Sequence, residues 1–113
     1  MTFSRYLPFV FWAALAFAFV MAVLPMPPRL PGNPSDKIQH ILAFSVLAAL
    51  AAAAYPRASL IRMGLWLSAF GALIEIVQTI PALNRDGDYV DWIADTAAAA
   101  VFLGLAALFR RRA

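Results

Sequence analysis

From Leu7 to Leu24 the chain runs eighteen residues without a charged side chain. A helix of that length rises about 27 Å, close to the hydrocarbon thickness of a bilayer. Three more stretches, near 36–54, 60–80 and 89–109, are almost as apolar. Apolar residues make up 64% of the 113, and charged residues only 13%. A water-soluble chain this short has too little interior to hide so much apolar surface. The excess must face lipid, which excludes a soluble enzyme and a disordered tail. Cysteine is absent, which excludes a disulfide mini-protein, a thiolate nucleophile and any Cys-based metal site.

The sequence therefore predicts an all-α fold, a single domain over 1–113. It is a polytopic bundle of four transmembrane helices over about 6–24, 36–54, 60–80 and 89–109, arranged up-down-up-down. Pro8 falls in the first turn of helix one, where its missing N–H costs little. The first run is too long for the apolar region of a signal peptide. Pro-Met-Pro-Pro follows it in place of a small-residue cleavage site. Residues 25–34 hold five prolines, so they form an irregular loop. Ser35 reads as the N-cap of helix two, with Asp36 in its first turn. Tyr55-Pro56-Arg57 closes that helix. Pro81 and the polar run Asn84–Asp88 stop helix three. Asp88 reads as the N-cap of helix four, with Asp91 at the third position. The alanine runs 51–54 and 97–100 predict close packing of helices two and four, with Ala98 at the contact.

Charge placement gives the orientation. Arg5, Arg57, Arg62, Arg110, Arg111 and Arg112 fall on one side of an up-down path. Lys and Arg concentrate in cytoplasmic loops, so both termini are expected in the cytoplasm. The opposite side holds Arg29, Lys37 and Arg85 with Asp36, Asp86, Asp88 and Asp91. The net charge of +3 is thus a matter of membrane orientation, and nucleic acid is not an expected partner.

Several polar residues gather at one depth. His40 lies one turn inside helix two from Asp36, and Asp95 one turn inside helix four from Asp91. Glu75, six residues before Pro81, sits about 9 Å below the outer end of helix three. Gln78 and Thr79 follow it one turn outward. An intramembrane carboxylate is costly and marks a functional site by default. His40, Glu75 and Asp95 are therefore the candidate catalytic residues, with Glu75 as base and His40 as proton partner or second acid. Asp36, Lys37, Gln78, Arg85, Asp88 and Asp91 are the candidate binding residues around them. For Asp36 and Asp91 the alternative is simple stabilisation of a helix N-terminus.

These residues also carry a family likeness. Asp36-Lys37-Ile38-Gln39-His40-Ile41-Leu42-Ala43-Phe44 resembles the D-K-x-x-H-x-x-x-F segment of VanZ-like membrane proteins. Glu75-Ile76-Val77-Gln78 resembles their E-x-x-Q. Arg85, Asp88 and Asp91 resemble the R…D-x-x-D stretch before the last helix, and Asp95-Thr96 an N/D-T pair. The likeness spans about residues 36–105. Ala98 stands where the family often has glycine, and the chain is a short, four-helix form. The resemblance implies a protein of the bacterial cytoplasmic membrane, in a family named for a teicoplanin-resistance accessory protein.

Three functions are expected from this reading. The first is an envelope factor whose outer-leaflet polar site binds or modifies a lipid-linked or cell-wall-related molecule, its partner being membrane lipid. The second is a metal-dependent membrane hydrolase using His40, Glu75, Asp91 and Asp95 as ligands, although no metal-specific spacing supports it. The third is an assembly subunit whose polar cluster only locks the bundle. No cofactor or metal is assigned, and the oligomeric state is left open.

Overall fold

A computed structural model describes residues 4–24, 36–80 and 89–112. These form a short 3₁₀ turn, Ser4–Tyr6, and four α-helices: α1 Leu7–Val23, α2 Asp36–Ala54, α3 Leu60–Gln78 and α4 Tyr89–Arg112. All four are long and apolar enough to cross a membrane, the makeup of a multi-pass membrane protein. Large apolar side chains stand outward on them. Ile61 is 77% exposed, Trp66 76% and Phe109 75%, which suits contact with lipid and not with water.

The helix ends have local causes. Pro8 occupies the first turn of α1. The helix stops one residue short of Leu24, which is extended at ψ 132°, because the following Pro25 disfavours the helical region for its predecessor. Ser59 caps α3 by accepting a hydrogen bond from the Arg62 N–H at 3.3 Å. α3 ends at Gln78, two residues sooner than the sequence suggests. The Thr79 hydroxyl donates to the Ile76 carbonyl at 2.6 Å, and Ile80 N–H reaches Val77 O at 3.0 Å. Those i→i+3 bonds tighten the last turn and close the helix. α4 runs to Arg112 instead of 109, drawing the basic residues into its last turns, where they complement the helix dipole.

Contacts at the two ends show how the helices lie. At one end the Trp12 indole of α1 donates to the Tyr55 hydroxyl just past α2, at 2.9 Å. Arg110 of α4 donates there to the carbonyls of Ala52, Tyr55 and Ala58 at 3.3, 2.9 and 2.7 Å. At the other end the Gln78 amide donates to Ala22 O of α1 at 2.8 Å, and Lys37 of α2 meets Asp91 of α4. The starts of α2 and α4 thus lie with the ends of α1 and α3.

The most extensive interface is between α2 and α4. Its small residues, Ala48, Ala51, Ala52 and Ala99, are all buried, and small side chains let apolar helices approach closely. On α4 the most enclosed alanine is Ala99, at 1% exposure. Ala98 is partly buried beside it. Phe11, Phe44, Leu47, Leu67, Ile74 and Leu103 complete the core.

Candidate functional site

The site is built where α2 and α4 begin. On α2, Lys37 and His40 are one turn apart; on α4, Asp91 and Asp95 are one turn apart. The two steps match, so each α2 residue faces an α4 carboxylate. Lys37 Nζ donates to Asp91 Oδ1 at 2.7 Å. His40 Nδ1 lies 3.1 and 3.2 Å from the two oxygens of Asp95. With Asp95 ionised its oxygens only accept, and Nδ1 is then the donor.

Burial separates the pairs. The Lys37 side chain is 45% exposed and that of Asp91 8%, so this pair sits at the rim. The His40 and Asp95 side chains are 9% and 1% exposed, so theirs is interior. Removing either member of the interior pair takes away a buried hydrogen bond.

α3 supplies the third wall. Gly71 faces Asp95 and Trp92 of α4 and Phe44 of α2, with no room to spare. Glu75 follows one turn later. It is partly buried, and its Oε2 is fully enclosed. One turn further inward from Gly71, Ser68 and Thr96 hydroxyls meet at 3.0 Å. The Trp92 indole donates to the Ser68 carbonyl and hydroxyl at 3.0 and 3.2 Å. This polar layer braces α3 against α4 beneath the carboxylates.

The structure thus brings His40 and Asp95 into direct contact, joins Lys37 to Asp91, and sets Glu75 on the helix that walls the pairs. Gln78 goes elsewhere. It is 2% exposed, and its amide ties α3 to the last turn of α1. Arg85 and Asp88 lie outside the described residues, as do Ser35 and the side chain of Asp36. Sequence reasoning missed Gly71, Ser68, Thr96 and Trp92 as parts of the site. A glycine inside a helix, one turn before a buried acid, was the available signal for a close approach. Among the described residues, no three of His40, Glu75, Asp91 and Asp95 gather as a metal-ligand set.

Chemically, a histidine held by a carboxylate through Nδ1 has a fixed tautomer and ring orientation. That arrangement suits proton transfer by the imidazole. The Lys37–Asp91 pair adds one cation and one anion at the rim.

Comparison with protein-family models, curated proteins and solved structures finds no significant match.

Proposed function

We propose that this chain is a VanZ-like protein of the bacterial cytoplasmic membrane. Both termini face the cytoplasm, and an outward-facing polar site binds or modifies a lipid-linked or cell-wall-related molecule. The observation that carries the proposal is the buried His40–Asp95 pair, at the end of the bundle away from the Arg110 contacts, with Glu75 one turn past the Gly71 that faces Asp95. Ionisable groups at such depth are expensive in a membrane. In this reading His40, oriented by Asp95, and Glu75 share the proton work, while Lys37 and Asp91 engage the polar head of the ligand at the rim.

The test is expression of the chain in a teicoplanin-sensitive bacterium, scored by growth in teicoplanin. Increased tolerance with the parent, lost with Glu75→Gln at equal expression, supports the proposal. No change in tolerance with the parent removes its resistance component.

One observation favours a second reading, a purely structural cluster. Both side-chain pairs bridge α2 and α4, so they also lock the largest helix interface. If locking is their whole role, pair-breaking variants lose folded protein while Glu75→Gln leaves the cellular phenotype unchanged.

A further inference from the structure

α1 is fastened at two levels and open between them. Near its start, Phe11 is buried and packs edge-on to Tyr55, with ring centroids 6.4 Å apart. Near its end, Phe19 meets Phe70 at 6.2 Å and Gln78 holds Ala22 O. Along this stretch α1 presents Ala14 and Ala18, and Ala22 at the second tie, small side chains that line a groove together with Ala43 and Leu47 of α2. Its volume is about 350 Å³. From Ala14 to Ala22 it runs about 12 Å along the helix axis. One leaflet of hydrocarbon is about 15 Å deep, half the bilayer core.

The lining is apolar except at one end, where Gln39 and His40 contribute. His40 thus touches both the groove and Asp95. Asp91 pairs with Lys37 at this mouth, Asp95 stands behind it against His40, and α3 carries Glu75 one turn past Gly71, which faces Asp95. Lys37 stands at the same rim, 45% exposed. A head carrying both a phosphate and an ammonium finds a partner for each charge there, whereas a purely anionic head meets an excess of carboxylates.

We infer that the α1–α2 groove seats one hydrocarbon chain of a zwitterionic membrane lipid, with the lipid's ammonium-ended head at the His40–Lys37 mouth. The inference rests on the outward-facing polar site proposed above and names the class of molecule that enters it. A groove inside the membrane-spanning part of a bundle is bathed in lipid chains. Its length matches one leaflet, and its polar residues sit only at the end where the head lies.

The experiment is native mass spectrometry of the chain released from nanodiscs of equal phosphatidylethanolamine and phosphatidylglycerol. The parent is expected to retain one phosphatidylethanolamine per chain, favoured about tenfold over phosphatidylglycerol, a tenfold ratio of dissociation constants. Ala18→Phe and Ala43→Phe fill the groove from opposite walls and should each abolish retention; if one fails to fold, the other decides. Retention unchanged in a folded groove variant overturns the inference, as does equal retention of the two lipids. A dimer formed by the parent and lost on filling the groove also overturns it, by assigning the groove to a second copy. Glu75→Gln separates this inference from the reading beneath it. Loss of retention in Glu75→Gln with none in the groove variants sinks the groove and keeps the polar site. Loss in the groove variants, with Glu75→Gln retaining lipid and cellular phenotype alike, keeps the groove and sinks the polar site.

Discussion

Gly71 of α3 lies against the carboxylate of Asp95 on α4, so that a Cβ at Gly71 would stand 3.4 Å from Asp95 Oδ2. The same Cβ would meet Trp92 at 3.3 Å and Phe44 at 3.4 Å. Gly71→Ala asks these neighbours to shift by tenths of an ångström, and recovers about 1 kcal/mol of helix propensity. It should melt near the parent. Gly71→Leu overpacks the junction and should cost about 1–3 kcal/mol. Thermal melts in detergent check both, and a leucine variant melting with the parent would show that the three helices do not meet there.

Ala99 and Ala98 should respond differently to enlargement. Ala99 is enclosed between α2 and α4, so Ala99→Leu is expected to cost about 1–3 kcal/mol. Ala98→Leu, at a partly buried position, should cost less. The reverse order in a melting series would place Ala98 at the centre of the interface.

The two side-chain pairs should differ in strength. Lys37 is well exposed, and its coupling to Asp91, from the Lys37→Met/Asp91→Asn double-mutant cycle, should stay below about 1 kcal/mol. His40 and Asp95 are buried, and Asp95→Ala should cost more, about 1–3 kcal/mol, because a buried hydrogen bond to His40 is lost. Asp95→Asn keeps an acceptor for Nδ1 and should fall between Asp95→Ala and the parent. Equal losses for Asp91→Ala and Asp95→Ala would mean that burial does not set the difference.

Glu75→Gln keeps the shape of the side chain and one acceptor, but cannot take up a proton at neutral pH. The variant is expected to insert and melt near the parent while losing the tolerance phenotype. Full phenotype in this variant removes Glu75 as a base, and loss of folded protein assigns it to the scaffold.

Orientation is checked with reporters fused after Ala113. A reporter active only in the cytoplasm should work there. Activity from a periplasm-only reporter would invert the bundle and turn the site toward the cytoplasm.

The helices were legible because each is a long apolar run ended by proline or polar residues, and a membrane leaves few other solutions. Their last residues were less so. The length of α4 depends on Arg110 reaching carbonyls of α2 and the following turn, a contact between residues more than fifty positions apart. The pairing of His40 with Asp95 was half visible: equal depth followed from counting turns, but which faces meet depends on the rotation of α2 against α4. Gln78 shows the limit of reading by depth. It lies one turn from Glu75 yet its amide reaches Ala22 O of α1, and depth along α3 carries no information about which neighbouring helix a side chain meets. The groove was not legible at all, since its lining joins alanines of α1 to residues of α2 distant in sequence.

The α2–α4 pairing also constrains biogenesis. His40 and its partner Asp95 are separated by 55 positions, and Arg110 lies as far beyond the α2 carbonyls it binds. At about 5–20 residues per second, α2 waits some 3–10 seconds for α4 to be synthesised. During that interval its histidine and lysine have no α4 carboxylate beside them. A nascent chain halted in α3 therefore displays polar groups on α2 to lipid or to the insertion machinery. The polar face of α2 meets Asp91 and Asp95 only once α4 has entered.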